Sequence, residues 1–381
     1  TVTPPVGLTA NITPASLTVS GLTANSKTYD ATTGATLTGT PTLGGILLSD
    51  VVTASGGTGT FADKNVGGGK SVTVTGVTLG GADAGNYTVT PPVGLTANIT
   101  PASLTVSGLT ANSKTYDATT AATLTGTATL GGILLSDVVT ASGGTGTFAD
   151  KNVGGGKSVT VTGVTLGGAD AGNYTVTPPV GLTANITPAS LTVSGLTAKS
   201  KTYDATIAAT LSGTATLGGI LLSDVVTASG GTGTFADKNV GVAKPVTVSG
   251  VTLAGADAGN YTLTPPVGLT ATITPASLTV SGLTANSKTY DATTAATLTG
   301  TPTLGGILLT DVVTASGGTG TFADKNVGAA KPVTVSGVAL AGADAGNYTV
   351  TPPVGLTANI TPASLTVSGL TANSKTYDAT T

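Results

Sequence analysis

Three side chains in this sequence have the chemistry needed for an intramolecular amide cross-link. Lys27 lies early and Asn86 late in a segment that recurs along the chain, and Asp30 is close enough to Lys27 to relay protons. Condensation of a lysine amine with an asparagine amide releases ammonia, so intact mass would detect it. The relaying acid would need an apolar setting, because burial shifts the pKa of a carboxyl group. Ordinary surface roles for Lys27, Asp30 and Asn86 are the alternative.

Oxygen-bearing side chains in two glycine-rich loops are candidates for a calcium site. Asp63 and Asn65 lie in the first loop, Asp83 and Asn86 lie in the second, and both loops recur in every copy. Calcium takes oxygen ligands and often stiffens extracellular modules. Neither loop has the twelve-residue EF-hand pattern or three acids together, so structural turns are the alternative. We expect no other metal and no cofactor.

The chain has few of the side chains that enzymes use for catalysis. The sequence lacks His, Cys and Glu, which removes most general bases, nucleophiles and metal-water sites. The acids Asp30, Asp50, Asp63 and Asp83 follow strand-like segments, where Asp commonly bonds to its own backbone. We therefore predict no catalytic site and no enzyme.

Aromatic residues are few, and their setting favours a structural role. Tyr29, Phe61 and Tyr87 are the aromatic residues of one copy. Stacking on a sugar is one interpretation. Alternation with Val and Leu favours the other, in which all three lie in the core.

The positions of these residues are set by a sequence repeat with a period of 87. The tyrosines of K-T-Y-D-A-T illustrate it, at steps of 87: Tyr29, Tyr116, Tyr203, Tyr290 and Tyr377. We predict the end of a preceding unit at 1–14, then repeat 1 (15–101), repeat 2 (102–188), repeat 3 (189–275), repeat 4 (276–362) and the start of a further unit at 363–381. A unit this long can hold its own core, which favours independent beads over a solenoid of units of about 20–45 residues.

Composition excludes several classes of function. All acids are Asp and all bases are Lys, and the formal net charge is −3. Nucleic-acid binding needs a basic face that this chain lacks. No apolar run approaches the ~20 residues of a membrane span, so we expect no membrane insertion by this segment.

Within one repeat, period-two alternation predicts short strands and no helices. Leu17–Ser20, Lys27–Thr32 and Leu95–Thr100 alternate apolar and polar residues. Gly56-Gly57 is the strongest hairpin signal, and Gly76 interrupts a long strand where a bulge would fit. Roughly seven to nine such strands with β-branched residues predict an all-β, immunoglobulin-like sandwich.

The boundary between repeats leaves almost no slack. The motif I-T-P-A-S connects the last strand of one repeat to the first strand of the next. Its proline has a fixed φ and pushes the preceding Thr into an extended conformation. We expect the repeats to join end to end with limited bending, as a rod.

Three motifs occur in order along repeat 1: S-K-T-Y-D-A-T-T at 26–33, G-T-F-A-D-K-N-V-G at 59–67 and G-A-D-A-G-N-Y-T at 81–88. Together they resemble the YDG repeat, a family of large bacterial surface and secreted proteins that include filamentous-haemagglutinin-like adhesins. The resemblance implies a tandem, extracellular, non-enzymatic role. The glycine of the family motif is Ala31 here, and we expect it to be an ordinary strand residue.

Two functions remain open on these observations. The first is structural: a stalk or self-assembling fibre on the bacterial surface, with homotypic end-to-end or lateral association. The alternative is an adhesive module whose repeats each bind a surface glycan or protein weakly, with host or neighbouring cells as partners and repetition supplying avidity.

Overall fold

The computed structural model describes residues 2–4 and 6–380 and confirms the all-β prediction. The strands of repeat 1 are β1 (Ala15–Ser20), β2 (Thr23–Ala24), β3 (Lys27–Thr28), β4 (Gly34–Ala35), β5 (Leu37–Thr38), β6 (Thr42–Gly44), β7 (Thr53–Phe61), β8 (Gly67–Gly80), β9 (Tyr87–Thr90) and β10 (Leu95–Thr100). Repeat 2 contains β11 (Ala102–Ala111), β12 (Lys114–Thr115), β13 (Ala121–Ala122), β14 (Leu124–Gly131), β15 (Thr140–Phe148), β16 (Gly154–Gly167), β17 (Tyr174–Thr177) and β18 (Thr183–Thr187).

Repeats 3 and 4 follow the same order of elements. Repeat 3 contains β19 (Ala189–Ser194), β20 (Thr197–Ala198), β21 (Lys201–Thr202), β22 (Ala208–Ala209), β23 (Leu211–Ser212), β24 (Thr216–Gly218), β25 (Thr227–Phe235), β26 (Gly241–Ala254), β27 (Tyr261–Thr264) and β28 (Thr270–Thr274). Repeat 4 contains β29 (Ala276–Ser281), β30 (Thr284–Ala285), β31 (Lys288–Thr289), β32 (Ala295–Ala296), β33 (Leu298–Thr299), β34 (Thr303–Gly305), β35 (Thr314–Phe322), β36 (Gly328–Ala341), β37 (Tyr348–Thr351) and β38 (Thr357–Thr361).

Helical structure in residues 2–4 and 6–380 is limited to single 3₁₀ turns. One such turn precedes the tyrosine strand of each repeat: Ala84–Asn86, Ala171–Asn173, Ala258–Asn260 and Ala345–Asn347. Among the described residues, no helix is long and apolar enough to cross a membrane.

Each repeat is built on two main sheets. In repeat 1 the three-stranded sheet has the order β6-β1-β9, with β1 antiparallel to β6 and parallel to β9. The five-stranded sheet has the order β3-β10-β8-β7-β4, with β10 antiparallel to β8 and parallel to β3. Residues of both sheets meet in a buried cluster, in which Val19 packs with Val74 and Val77. The period-two pattern therefore places its apolar side chains on facing surfaces.

The chain divides into two compact halves, 1–189 and 190–381. The first half holds repeats 1 and 2, and only Pro101 separates β10 from β11. One buried cluster crosses this boundary and includes Tyr29 and Ile99 of repeat 1 with Leu104 and Tyr174 of repeat 2. Repeats 1 and 2 therefore share a core, which differs from the expected independent beads.

The second half has the same construction. Its cluster joins Tyr203 and Ile273 of repeat 3 with Leu278 and Tyr348 of repeat 4. Only Pro275 separates β28 from β29.

The hairpin predicted at Gly56-Gly57 is wrong. Strand β7 runs through both glycines and pairs with β8 in one register from Thr53 to Phe61, so no bulge occurs at Gly76 either. Both glycines have positive φ, and a Cβ on Gly57 would lie 3.3 Å from Val77. The pair allows a sharply bent strand to pass close to its neighbour, which glycine permits as readily as it permits a turn. The chain reverses after Phe61 instead.

The expectation that Ala31 is an ordinary strand residue is also wrong. Strand β3 ends at Thr28, and Ala31 has a φ of 63°, in the left-handed region that favours glycine. Its equivalents in the other repeats have φ between 60° and 66°: Ala118, Ala205 and Ala292. The glycine of the family motif therefore corresponds to a real backbone requirement, which this chain meets with strained alanines.

The two partial units predicted at the ends contain no strand in their described residues. Positions 6–14 and 362–380 have no regular secondary structure. Their assignment to neighbouring units stays a prediction.

Candidate functional site

Lys27 and Asp30 lie together in the structure, whereas Asn86 lies elsewhere. Lys27 Nζ is 2.7 Å from Asp30 Oδ1 and donates to the Thr32 carbonyl at 2.9 Å. Asp30 Oδ1 also accepts from the Thr32 backbone N–H at 2.9 Å, which closes the turn around Ala31. Asn86 ends the 3₁₀ turn before β9, in the other sheet. The structure does not bring Lys27 and Asn86 into contact, and the cross-link stays a prediction.

The calcium candidates are occupied by hydrogen bonds within the chain. Asp63 Oδ1 accepts from the Asn65 backbone N–H at 2.8 Å and from Lys70 Nζ at 2.7 Å. Asp83 Oδ2 accepts from the Val51 N–H at 2.8 Å. Within 2–4 and 6–380, no group of three or more acidic, His or Cys side chains is arranged to hold a metal ion. Calcium binding stays a prediction. In the structure the Asp63 side chain stabilises its own turn, and the Asn65 side chain accepts a hydrogen bond from Asn173 Nδ2 at 3.2 Å.

The three aromatic residues of repeat 1 are buried. Tyr29 and Phe61 are 2% exposed and Tyr87 is 7% exposed. Phe61 also lies under the Lys27 ammonium, 5.5 Å from its ring centroid. Their rings are packed in the core and leave no platform for a sugar in this repeat.

A dense group of polar contacts lies at the joint between repeats 1 and 2, around Asp137. This side chain is 1% exposed. Its Oδ2 accepts from the hydroxyls of Tyr29, in repeat 1, and Tyr174, in repeat 2, both at 2.7 Å. Its Oδ1 lies 2.6 Å from Nζ of Lys64, in repeat 1. A buried carboxylate is thus satisfied by donors from both repeats.

Further contacts surround this carboxylate. Lys64 Nζ is 3.2 Å from Asp170 Oδ1, so one ammonium faces two acids of the next repeat. The rings of Tyr29 and Tyr174 meet edge to face, with centroids 5.3 Å apart. The Val66 backbone N–H donates to Asn173 Oδ1 at 2.9 Å. The joint therefore combines apolar packing with charged and neutral hydrogen bonds.

Local turns place these side chains. Asp137 closes a turn in which its N–H donates to the Leu134 carbonyl, and Leu135 within that turn has a φ of 49°. Lys64 lies in the loop between β7 and β8 that Asp63 stabilises by accepting from Asn65. Short polar turns thus orient long side chains across the joint.

The environment holds the groups of the joint in their charged or hydrogen-bonding forms. Burial alone would raise the pKa of Asp137, but hydrogen bonds from Lys64, Tyr29 and Tyr174 outweigh it and lower that pKa. The hydrogen bond to Asp137 raises the pKa of Lys64, with smaller contributions from Tyr29 and Asp170. Burial and the neighbouring Asp137 raise the pKa of Tyr174 to about 12. The ion pair is therefore the stable state near neutral pH.

The joint between repeats 3 and 4 repeats this geometry. Asp311 accepts from the hydroxyls of Tyr203 and Tyr348, both at 2.7 Å, and lies 2.5 Å from Lys238 Nζ. Lys238 is also 3.0 Å from Asp344. The tyrosine rings again meet at 5.3 Å. Two described joints thus use the same set of contacts.

No local sequence pattern indicates this site. The position of Asp50, the repeat 1 equivalent of Asp137, predicts only a turn, and nothing in the sequence distinguishes Lys64. Alternation predicts that the tyrosines lie in the core but gives their hydroxyls no partner. Tyrosine rather than phenylalanine at both positions was the available signal, because a buried hydroxyl needs a partner.

Comparison with known families agrees with the repeat and its motifs. The sequence model of the YDG domain family matches residues 13–94, 100–181, 187–268 and 274–355. No curated protein matches the chain. The first match ends at residue 94, yet β10 at Leu95–Thr100 pairs with both β8 and β3. The structural repeat therefore extends through the strand that leads into the next repeat.

Proposed function

Since this chain belongs to the YDG domain family, we propose that it is a non-enzymatic structural repeat region of an extracellular bacterial surface or matrix protein. In this proposal it forms an elongated stalk or a fibre that assembles from its own copies. The single observation that carries the proposal is the joint, where the buried Asp137 binds donors from two successive repeats. A chain of freely moving binding modules would not need such a contact.

Three features of the joint support limited bending between repeats. A single proline lies between consecutive strands, and a proline has a fixed φ. The apolar cluster is continuous from Ile99 to Leu104. The hydrogen bonds to Asp137 are directional, so a change of angle between the repeats would leave a buried charge without donors, which is costly. Together they favour a stiff connection, which a stalk under load needs.

We further propose that each repeat is an immunoglobulin-like sandwich. The shared clusters of the two sheets support this, since Val19 of β1 packs with Val74 and Val77 of β8. Sheets packed face to face interdigitate inner side chains in this way. An experimental structure of one half at atomic resolution would test the assignment.

Distance measurements between repeats 1 and 2 test the stiff connection. The chain has no cysteine, so Thr40→Cys with Thr127→Cys gives two unique sites for spin labels on equivalent exposed positions. We expect a narrow distance distribution that Lys64→Ala broadens. The matched control is Lys70→Ala, because Lys70 pairs with Asp63 inside its own repeat. A broad distribution in the labelled protein that retains Lys64 would overturn the proposal.

One observation favours adhesion as a second candidate function. Every repeat exposes an apolar patch, which in repeat 1 consists of Ile46, Leu48 and Val51, exposed by 36%, 103% and 59%. Leu48 has a φ of 48°, an unusual conformation for a bulky residue. Repetition of a weak apolar contact would supply avidity. Binding to a cell surface that falls when the four equivalent leucines become serine would support this candidate, and unchanged binding would remove it.

A further inference from the structure

The last strand of three repeats carries the acceptor motif for N-linked glycosylation, which is Asn-X-Thr with X other than proline. In repeat 1 the motif is N-I-T at 98–100, within β10. Its equivalents begin at Asn185 in repeat 2 and at Asn359 in repeat 4. A second motif of this type, N-Y-T, lies at the start of the tyrosine strand and begins at Asn173 in repeat 2. The structure places the two motifs in different surroundings.

Strand geometry exposes both polar residues of the N-I-T motif. Residues i and i+2 of a strand lie on the same face, so Asn98 and Thr100 are exposed while Ile99 lies in the core. Asn98 Oδ1 accepts from the Gly69 backbone N–H at 2.8 Å. Within 2–4 and 6–380, no group accepts a hydrogen bond from Asn98 Nδ2. The amide oxygen is therefore held by the repeat, and the nitrogen that would carry a sugar is free.

The surface beside Asn98 has room for a sugar. The pairing of β10 with β8 shifts register between Ala97 and Ile99, and two glycines of β8 lie at this irregularity. A Cβ on Gly69 would meet nothing within 4 Å, and a Cβ on Gly68 would meet only Asn98 Oδ1, at 3.7 Å. No side chain of β8 therefore covers the asparagine at this point.

Repeats 2 and 4 reproduce the arrangement, and repeat 3 lacks the asparagine. Asn185 Oδ1 accepts from the Gly156 N–H at 2.8 Å, and Asn359 Oδ1 accepts from the Ala330 N–H at 2.7 Å. Both asparagines are exposed. Repeat 3 has Thr272 at this position, with the same irregular strand pairing. It therefore provides a control within the chain, which has the strand but no acceptor amide.

The N-Y-T motifs of the described joints are covered by packing. Asn173 is 5% exposed. Its Oδ1 accepts from the Val66 N–H at 2.9 Å, and its Nδ2 donates to Asn65 Oδ1 at 3.2 Å. Asn347 is bonded in the same way at the joint of repeats 3 and 4. A sugar on either asparagine would prevent the preceding repeat from packing there.

We propose that Asn98, Asn185 and Asn359 carry N-linked sugars and that Asn173 and Asn347 do not. This inference rests on the extracellular location in the proposed function. The co-substrate is a sugar linked through a diphosphate to a nucleoside or a lipid. The asparagine Nδ2 forms a bond to C1 of the sugar, and the bond from C1 to the phosphate oxygen breaks. The diphosphate leaves with the electron pair, and a base of the transferase takes the Nδ2 proton.

The low charge of the chain gives this modification a physical role. The sequence has 14 basic and 17 acidic residues among 381, and its mean hydropathy is +0.35. Charged side chains normally keep a protein surface soluble, and an N-linked sugar is bulky and solubilising. Sugars on three of the four repeats would hydrate the five-stranded sheets. They would also keep these faces out of contacts between neighbouring chains.

Peptide mapping by mass spectrometry tests the proposal on the protein released from the surface of the cells that produce it. We expect fragmentation to place added sugar on Asn98, Asn185 and Asn359 and to find Asn173 and Asn347 unmodified. The added mass distinguishes the two donors. A single hexose indicates a nucleotide-linked donor, and a preassembled oligosaccharide indicates a lipid-linked donor.

Two substitutions provide matched tests of the motif. Thr100→Ala removes the hydroxyl that the motif requires and should abolish modification of Asn98. Modification of Asn185 should be unchanged and is the control. Thr272→Asn completes the N-I-T motif in repeat 3 and should add one further sugar there. Thermal unfolding of each variant checks folding.

Each outcome decides the proposal. Sugar at the three N-I-T sites that Thr100→Ala removes and Thr272→Asn adds supports it. Unmodified Asn98, Asn185 and Asn359 would overturn it, and so would sugar on Asn173. Added mass at 98–100 that Thr100→Ala leaves in place would also overturn the motif as its cause. The spin-label distances between repeats 1 and 2 test the stiff joint, and recovery from the cell surface tests location, so failure of the proposed function is seen separately.

Discussion

Two stretches of this chain have the same sequence and different structures. Residues 15–33 and 363–381 are identical. The first stretch forms β1, β2 and β3, and its Leu17 is 0% exposed. The described part of the second stretch forms no strand, and the equivalent Leu365 is 94% exposed. The strands are therefore properties of the whole repeat and not of the local sequence.

One local feature forms in both stretches. Lys27 and Asp30 lie 2.7 Å apart, and their equivalents Lys375 and Asp378 lie 2.9 Å apart. The alanine after each aspartate has a positive φ, 63° and 65°. A turn closed by its own side chains needs no distant partner, whereas a strand such as β1 needs β6 and β9 on either side. Neighbouring residues therefore encode the turn, whereas the strands form only with the rest of the repeat.

The largest expected effect comes from truncating the buried one of two equivalent leucines in the identical stretches. Leu17→Ala should lower the free energy of unfolding of repeat 1 by about 2–5 kcal/mol, because it leaves a cavity in the core. The matched control Leu365→Ala should change it by less than about 0.5 kcal/mol. Chemical denaturation followed by tyrosine fluorescence measures both. Equal effects would show that 363–381 packs in a core as 15–33 does.

A smaller effect is expected from the tyrosine hydroxyl of the same two stretches. Tyr29→Phe removes one of the hydrogen bonds that Asp137 accepts and should cost about 1.5–3 kcal/mol, as bonds to charged groups do. Tyr377 is 91% exposed, so Tyr377→Phe should have no measurable effect. Thermal unfolding and the spin-label distances check this. If Tyr29→Phe leaves both readouts unchanged, the hydroxyl does not hold the joint.

The difference between local turns and strands that need the whole repeat also explains which features the sequence could predict. Period-two alternation identified the β class, and the spacing of I-T-P-A-S located the joint at Pro101. The joint contacts were missed because Tyr29 and Asp137 are 108 positions apart, and no local pattern pairs them. Gly56-Gly57 was misassigned because glycine gives the same signal in a turn and in a bent strand. The positive φ of Ala31 was not predicted because alanine rarely adopts the left-handed conformation, although the family motif has glycine at this position.

Lowering the pH should destabilise the joint less than removing one of its side chains does. Protonated Asp137 still has oxygens that can accept hydrogen bonds. The pKa of Asp137 is lowered in the folded protein. Its contribution is therefore present above the ordinary Asp pKa of about 3.9 and is lost as the pH falls through the lowered value. We expect the distance distribution between repeats 1 and 2 to broaden below about pH 4. Asp137→Asn should remove most of this pH dependence, and a joint that stays narrow in acid would contradict the assignment.

The smallest expected effect comes from a substitution that changes only the local strain of the backbone. Gly69 has a φ of 60°, and a Cβ there would meet nothing within 4 Å, so Gly69→Ala tests strain without a clash. Repeat 4 carries Ala330 at this position with a φ of 48°. We expect Gly69→Ala to cost about 1 kcal/mol.

Gly85 is the matched control for this strain. It also has open space around its Cβ position but no positive φ, so Gly85→Ala should be neutral or stabilising by about 0.4–1 kcal/mol. Denaturant midpoints of the two variants would separate strain from the general effect of adding a methyl group. If both variants shift the midpoint in the same direction, the left-handed conformation at residue 69 is not a constraint. The alanine in repeat 4 would then need no compensation from Pro332, which restricts the unfolded chain at the position where repeat 1 has Ser71.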